Sequence, residues 1–334
     1  MKALIYTGHP DWPDSLNSDV KHRWALRLSE IPAITSYRLY SLYGTTDEEM
    51  ISNIEEDDDI LIGFYPGSYM NDTFFSSHPH IQYIGNLAMG YGPFDREAAK
   101  RHHVTLTTTV YGDKTISQFA FALLLDICHN IRGNCETIKK ASPEELAKQY
   151  FNPIEPMIEL STKNMGIIGL GHVGFSLAGM AKAFGMNVYA NSRSIKSGPE
   201  YDGISQVSLD ELLKVSDVIA ITCSGNASTM NLINKDTISK MKDGVIIINT
   251  SRGGIIVEED LISALNTGKV RAAGLDATMA DATLTHTPIM DCKNAIITPH
   301  IAYLTDVAVT KTIDVACENL KNYLAGKPTS VIAL

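Results

Sequence analysis

Short apolar runs alternate along this chain with stretches in which apolar and polar positions recur at helical spacing. From residue 165 onward the runs are nearly unbroken, which is typical of parallel strands covered by helices on both faces. Strands are therefore predicted over residues 2–7, 59–64, 81–86, 104–110, 165–170, 187–192, 217–223, 244–251, 272–278 and 294–300.

The stretches between these runs predict amphipathic helices at 174–185, 208–216, 234–242 and 258–268. The last has acidic residues at its start and Gly268 after its end, which suits a helix start and stop. A long apolar helix is expected over 115–131 and a closing helix between 302 and 334, whereas the acidic run 55–59 is expected to be a solvated loop. Alternating strands and helices imply an α/β fold with open parallel sheets and right-handed crossovers.

Length and composition narrow the class of protein. A chain of 334 residues with 44% hydrophobic residues can bury a substantial core and suggests two domains. Its net charge of −10 argues against binding nucleic acid, because neutralising phosphates requires concentrated Lys and Arg. No apolar segment approaches a signal-peptide core or the roughly 18 residues of a membrane span. The five cysteines are scattered without a CxxC pair, so we expect free thiols, no metal site and a cytoplasmic protein.

The sequence GLGHVG, residues 169–174, lies between a predicted strand and a predicted apolar helix. In that context Gly169, Gly171 and Gly174 suit a dinucleotide-binding turn. The first glycine makes the turn tight, the second lets the backbone approach a pyrophosphate, and the third lets the helix pack closely on the strand. An ordinary tight turn is the weaker alternative.

Two side chains at predicted strand ends could carry chemistry. Arg252, in NTSRGG (249–254), could pair with a carboxylate and polarise a neighbouring carbonyl, although an isolated Arg is more often a surface ion-pair partner. His300, which follows Pro299, could donate or take a proton near neutral pH, although a lone His is usually structural. Both are favoured by their placement, because ligands of doubly wound sheets bind at the carboxyl ends of the strands.

Two aspartates occur in GLDATMAD (274–281), at the end of another predicted strand. Asp276 would lie at the carboxyl edge of the sheet, near a cofactor. A carboxylate such as Asp281 beside His300 would stabilise the imidazolium, so that His300 could donate a proton at neutral pH. A solvated loop acid is a nearly equal alternative for Asp281.

The order of these motifs, GLGHVG, NTSRGG, GLDATMAD and then TPHIAYLT, resembles that of the NAD(P)-dependent D-isomer-specific 2-hydroxyacid dehydrogenase family. The segments 83–109 and 117–127 resemble the family's substrate loop and interdomain helix, so the resemblance covers about residues 80–320. It implies two doubly wound parallel-sheet domains with a cleft between them, and a homodimer. A Rossmann-type cofactor domain, residues 106–301, would be inserted in a flavodoxin-like substrate domain, residues 1–105 and 302–334.

The resemblance also implies residue roles. Arg252 would bind the substrate carboxylate and keto oxygen, His300 would be the acid/base with Asp281 paired to it, and backbone amides near Met89 and Gly90 would hold the carboxylate. Hydride would pass between nicotinamide and C2 of a small 2-keto or 2-hydroxy acid. The implied cofactor contacts are Gly169, Gly171, His172, Val173, Gly174, Asn191, Ser192, Arg193, Ser194, Cys223, Ser224, Thr229, Thr250, Ser251, Arg252 and Asp276.

The chain departs from the family pattern in two places. The usual partner of the catalytic His is a Glu, which aligns with Asp281, and no Glu occurs between Glu259 and Glu318. Asp is shorter by one methylene, about 1.3–1.5 Å of reach. The segment 221–226 also lacks the family's usual Pro, which leaves its cofactor contacts open.

The acid that usually binds the adenosine ribose aligns with Ser192, and no Asp or Glu occurs between Gly174 and Pro199. A carboxylate there would repel a 2′-phosphate, whereas the Ser192 and Ser194 hydroxyls and the Arg193 guanidinium suit one. We therefore predict that NADP(H) is preferred to NAD(H). The alternative is a permissive turn that binds both.

The leading functional prediction is a 2-keto acid reductase. The alternatives are an oxidoreductase for another small anion, with the formate branch disfavoured, and a cofactor-sensing regulator that works by binding proteins. Glyoxylate, hydroxypyruvate, pyruvate and larger keto acids all remain open as substrates. Four side chains could line the pocket or simply pack: Tyr65, Tyr69, Met89 and Tyr303.

Overall fold

The structure is a computed structural model that describes residues 1–7, 14–41, 45–65, 69–90, 94–279 and 285–333. The chain divides into two compact units, Met1–Gly112 with Leu304–Leu334, and Asp113–Tyr303. Each unit contains its own parallel sheet with helices packed on it. The predicted α/β class with two parallel-sheet domains is confirmed.

The first unit is built on a sheet in the order β13-β5-β4-β3-β1-β2, in which only the β13–β5 pair is antiparallel among the described residues. Its elements are β1 (Lys2–Tyr6), α1 (Asp14–Ser29), β2 (Ser36–Tyr40), α2 (Asp47–Ser52), β3 (Asp58–Gly63), α3 (Asp72–Ser77), β4 (Tyr83–Asn86), α4 (Arg96–Arg101), β5 (Thr105–Thr108), α12 (Asp306–Leu324) and β13 (Val331–Ala333).

Alternate residues of β1 supply the two cores of this unit, because successive side chains of a strand point to opposite faces. Ala3 and Ile5 pack with the apolar stripes of α1 and α12, in a cluster that includes the fully buried Trp24. Leu4 and Tyr6 pack on the other face, with side chains of α2, α3 and α4. The closing helix therefore belongs to the core of the N-terminal unit.

The second unit contains a sheet in the order β12-β11-β10-β9-β6-β7-β8, with parallel pairing throughout its described strands. Its elements are α5 (Asp113–His129), α6 (Ile131–Lys140), α7 (Pro143–Gln149), β6 (Asn164–Ile168), α8 (His172–Ala183), β7 (Asn187–Asn191), β8 (Ile204–Gln206), α9 (Leu209–Val215), β9 (Val218–Ile221), α10 (Lys235–Ser239), β10 (Val245–Asn249), α11 (Glu258–Thr267), β11 (Val270–Leu275) and β12 (Ala295–Ile297).

Strand β6 pairs with β7 on one side and β9 on the other, so the strand order reverses beside it. Helices α5 and α8 cover one face of the sheet, and α9, α10 and α11 cover the other. Open α/β sheets bind ligands outside the carboxyl ends of the strands at such a reversal. The turn after β6 and the segment after β9 therefore occupy the expected ligand position.

All ten predicted strands are present, and the described residues form three more that the sequence did not reveal: β2, β8 and β13. These three are edge strands, and their residues are only partly buried or exposed apart from Ala333, so they lack a continuous apolar run. Helix α11 begins and ends where predicted, with Gly268 in the left-handed conformation at φ 77°. The spacing of apolar residues, in continuous runs for strands and at helical intervals for helices, was therefore the reliable signal.

The compact units and the predicted domains can be set side by side. The first unit extends to Gly112, where the prediction placed the domain boundary at residue 105, and β5 pairs with β4 and β13 within this unit. The acidic run is not entirely solvated, since Asp58 is 1% exposed in β3 and forms an ion pair with Arg38. None of the described helices is both long enough and apolar enough to cross a membrane.

Candidate active site

The turn GLGHVG has the geometry of a nucleotide-binding turn. Gly169 follows β6 with φ 105°, and a Cβ there would lie 2.5 Å from the backbone N of Cys223. A Cβ on Gly174 would lie 2.1 Å from the carbonyl oxygen of Gly169. By contrast, a Cβ on Gly171 would meet no atom within 4 Å, so open space adjoins the first turn of α8. A pyrophosphate could approach the backbone there, and these residues therefore fit a dinucleotide.

Two hydroxyls that we did not predict hold this turn in place. Thr222, which follows β9, donates to the carbonyl oxygen of Gly169 at 2.7 Å. Ser117, fully buried in α5, donates to the carbonyl oxygen of Val173 at 2.9 Å. His172 is exposed beside Val173 in the first turn of α8. No sequence signal distinguished Ser117, because other polar residues surround it at the start of α5.

The turn after β7 is exposed and locally bonded. The Ser192 hydroxyl donates to the carbonyl oxygen of Ser194 at 2.7 Å, while the side chains of Arg193 and Ser194 are exposed. Asn191 joins the turn to the site, because its carbonyl oxygen accepts a hydrogen bond from the Gly169 amide at 2.8 Å. The Ser192 hydroxyl would have to rotate to donate to a phosphate, so Arg193 is the more available donor.

The segment after β9 closes on itself without the family's proline. Thr229 donates to the carbonyl oxygen of Ser224 at 2.7 Å and accepts from the amide of Asn226 at 2.9 Å. The Ser251 hydroxyl donates to the carbonyl oxygen of Cys223. Burial raises the pKa of the Cys223 thiol, which keeps the thiol protonated at neutral pH.

Arg252 lies on a short segment that a buried asparagine fixes. Asn249, 0% exposed at the end of β10, donates to the carbonyl oxygens of Arg252 at 3.0 Å and Ala277 at 3.2 Å, and its own Oδ1 accepts from the Ser251 amide at 3.0 Å. The Arg252 side chain is exposed, and its Nη1 donates to the carbonyl oxygen of Ser251 at 2.7 Å. The backbone of Arg252 is therefore rigidly placed while its guanidinium faces solvent.

His300 is held by Asp276, which lies just after β11 and is 1% exposed. The Asp276 carboxylate accepts from the Thr298 hydroxyl at 2.6 Å and from the amides of Ile301 at 2.9 Å and Ala302 at 2.8 Å. His300 itself has φ 54°, in the left-handed region that L-residues adopt infrequently. Asp276 therefore secures the chain on both sides of His300.

The predicted residues gather at one edge of the second sheet. Arg252, Asp276 and His300 follow β10, β11 and β12, which are neighbours in the sheet. The contacts of Asn249 with Ala277 link the first two strand ends, and those of Asp276 link the last two. Thr250 and Ser251 also follow β10. Sequence motifs found these strand ends, but not the hydrogen bonds that fix them.

Two predicted groups lie elsewhere. Met89 and Gly90 follow β4 in the first unit, at the carboxyl edge of its sheet. Asp281 lies outside the described residues. Arg252 and His300 therefore lie in one unit, and Met89 and Gly90 lie in the other.

A glycine turn at the strand reversal, with Arg and His at strand ends along the same edge of the sheet, defines the class of Rossmann-type nicotinamide-dependent oxidoreductases. Residues 121–302 match the family described as D-isomer specific 2-hydroxyacid dehydrogenase, NAD binding domain. The chain belongs to this family, and it is an NAD(P)-dependent oxidoreductase acting on the CH–OH group of 2-hydroxy acids.

Two relatives and one solved structure illustrate the likeness. The chain is 40% identical over 296 residues to a hydroxypyruvate reductase of Blautia hydrogenotrophica, covering 88% of this chain and 91% of the relative. It is 30% identical over 271 residues to glyoxylate/hydroxypyruvate reductase B of Yersinia pestis bv. Antiqua, covering 80% and 81%. An acyclic imino acid reductase in complex with NADPH and D-Arg superposes with a TM-score of 0.79 at 26% identity, over 99% of this chain and 100% of that one.

Proposed function

We propose that the protein is an NADP(H)-preferring reductase of small 2-keto acids, with hydroxypyruvate and glyoxylate as the first substrates to test. The observation that carries the proposal is the placement of Arg252 and His300 at the same edge of the sheet, after β10 and β12 on either side of β11, with each segment fixed by a buried polar side chain. The names of the two relatives support the choice of substrates.

In the proposed reaction Arg252 binds the substrate carboxylate and polarises the keto oxygen, for which its exposed guanidinium is suited. His300 donates a proton to the oxygen that becomes the hydroxyl. When bound, a nicotinamide cofactor supplies the hydride that reduces C2. The amides near Met89 and Gly90 hold the carboxylate, and Asp281 is proposed as the acid that pairs with His300.

The proposed cofactor site uses the glycine turn for the pyrophosphate and the exposed turn after β7 for the 2′-phosphate. Support for NADP(H) comes from charge: Arg193 is exposed there, and the segment between Gly174 and Pro199 contains no carboxylate. The solved relative that contains NADPH is consistent with this preference. Cys223, Ser224, Thr229, Thr250, Ser251 and Asp276 remain proposed contacts of the cofactor.

The first unit is proposed as the substrate domain and the second as the cofactor domain of a cytoplasmic homodimer. Support for dimerisation comes from α6 and α7, which contain no buried residue. Large apolar side chains are exposed on them and on the chain that follows: Ile131, Ile138, Tyr150, Phe151, Ile154 and Met157. Phe151 is 99% exposed. A second copy of the chain that covers this apolar surface is the simplest explanation. Sedimentation of wild type and of Phe151→Ser tests this, and a monomeric wild type would exclude it.

A panel of 2-keto acids with NADPH and with NADH tests the function. We expect loss of NADPH absorbance with hydroxypyruvate or glyoxylate, and a higher kcat/KM with NADPH than with NADH. His300→Gln should lower kcat, and Arg252→Lys should raise KM and lower kcat, because Lys cannot pair bidentately. No turnover with any keto acid, despite cofactor binding, would instead favour a regulator that senses the cofactor. A clear NADH preference would reject the cofactor assignment alone.

A further inference from the structure

In the loop after β4, residues 88–90, the backbone carbonyl groups are hydrogen-bonded and the backbone amides, among the described residues, are not. The carbonyl oxygens of Ala88, Met89 and Gly90 all accept bonds from side chains. Asn86, 4% exposed, donates through Nδ2 to Gly90 at 2.9 Å and to Ala88 at 3.4 Å. The Thr108 hydroxyl donates to Ala88 and, at 3.2 Å, to Met89. Two buried side chains therefore hold three consecutive carbonyl groups.

The amide groups of the same three residues are in the opposite situation. Within the described part of the chain, the amides of residues 88–90 have no hydrogen-bond acceptor. Ala88 and Met89 are partly exposed, and Gly90 is exposed. Successive unpaired amides in a turn make a concavity that binds anions. The carbonyl groups of Ala88 and Met89 share peptide planes with the amides of Met89 and Gly90, so fixing these carbonyls determines which way the two amides face.

A second layer connects this loop to the closing helix. Asn319 of α12, 3% exposed, donates to the carbonyl oxygen of Thr108 at 3.1 Å, and its Oδ1 accepts from the Thr329 hydroxyl at 2.9 Å. Thr109 donates through both its amide and its hydroxyl, each at 3.0 Å, to the carbonyl oxygen of Asn86. Strand β5 is thereby fixed between the closing helix and the loop.

We propose that Thr108 and Asn86, supported by Asn319, are positioning residues that hold the carbonyls of residues 88–90 inward and so present the amides of Met89 and Gly90 to the substrate carboxylate. The inference rests on the proposed function, because it concerns the site that this function requires. These side chains act through the loop and do not contact the reacting atoms. Their loss therefore affects binding of the anion and leaves the chemistry at Arg252 and His300 intact.

The test compares two Thr→Val substitutions on the same strand. Thr108→Val removes the hydroxyl that bonds the loop, while Thr107→Val removes a buried hydroxyl that bonds Tyr83 at 2.7 Å. We expect Thr108→Val to raise the KM for hydroxypyruvate roughly tenfold, with kcat and NADPH affinity near wild type. Thr107→Val should keep the wild-type KM, and Thr108→Ser, which retains the hydroxyl, should restore it.

Oxalate separates this inference from the proposed function. Calorimetric titration with oxalate at saturating NADP⁺ measures anion binding without turnover, and Thr108→Val should weaken it about as much as it raises KM. If the wild-type protein reduces no keto acid, the proposed function is wrong. The effect of Thr108→Val on oxalate binding then tests the positioning role by itself. Should Thr108→Val not fold, Asn86→Ala removes the donor to Gly90 at the exposed end of the loop. Unchanged KM and oxalate affinity in the folded variant, or no oxalate binding by wild type, would overturn the positioning role.

Discussion

Two parts of the second unit, the Arg252–His300 edge and the turn after β7, are built in opposite ways. At the first, Asn249 and Asp276 are almost fully buried and each makes three hydrogen bonds to neighbouring segments. At the second, residues 192–195 are largely exposed, and the Ser192 hydroxyl donates within the turn, to the carbonyl oxygen of Ser194. Proton transfer requires fixed geometry, whereas selecting between cofactors requires only a suitable charge. The two regions should therefore respond differently to substitution.

The largest expected effect comes from Asp276→Ala. It leaves the Thr298 hydroxyl and the amides of Ile301 and Ala302 without their acceptor, so His300 loses its imposed conformation. We expect kcat/KM to fall roughly 100-fold or more, and the free energy of unfolding to fall by about 3 kcal/mol. Steady-state kinetics and urea unfolding measure the two effects. Thr298→Val, which removes one of the three bonds, should change both in the same direction but less, and wild-type kcat in Asp276→Ala would contradict the role given to the carboxylate.

Asn249→Ala should have the next largest effect. Three backbone groups, on Ser251, Arg252 and Ala277, lose their partner in a buried setting. We expect the free energy of unfolding to fall by about 2 kcal/mol and kcat/KM to fall roughly 10- to 100-fold. Asn187→Ala, at an exposed asparagine of the same sheet, is the matched control and should change neither quantity appreciably. Equal effects of the two substitutions would mean that burial of Asn249 is not what matters.

Ser192→Asp combined with Arg193→Ala should change cofactor choice without changing stability. The carboxylate can accept hydrogen bonds from the ribose hydroxyls and repels a 2′-phosphate, and removing the guanidinium removes its attraction. We expect the ratio of kcat/KM with NADPH to that with NADH to fall by at least roughly tenfold, with an unchanged unfolding midpoint. A variant that keeps its NADPH preference would show that selection lies outside this turn.

The smallest effect is expected for Ile195→Ser. Ile195 is 86% exposed in the same turn, so removing its side chain loses little packing. We expect the free energy of unfolding to change by no more than about 0.5 kcal/mol, and the cofactor ratio to stay at its wild-type value. A marked loss of stability would mean that this turn is more constrained than its exposure indicates, and the contrast with the Arg252–His300 edge would weaken.

Sequence patterns predicted those parts of the fold in which burial requires apolar residues. Buried strands such as β6, β9 and β10 were found because they contain no polar residue apart from one terminal asparagine in β6 and one in β10. Edge strands such as β2 and β8 were missed because solvent on one side permits polar residues. For the site, motifs at strand ends located Arg252 and His300, because parallel strands bring their carboxyl ends to one edge.

The amino-acid sequence by itself determined the α/β class, the glycine turn and the absence of an acid at the ribose position, since each depends on residue type at a local spacing. Only the tertiary structure decided what Ser117, Asn249, Asp276 and Thr108 do. Each has at least one partner 20 or more residues away along the chain, and in the case of Ser117 the separation is 56 residues. A polar side chain looks the same in sequence whether it faces water or a buried carbonyl group. Its role is fixed only when folding removes the water and leaves one partner within hydrogen-bonding distance.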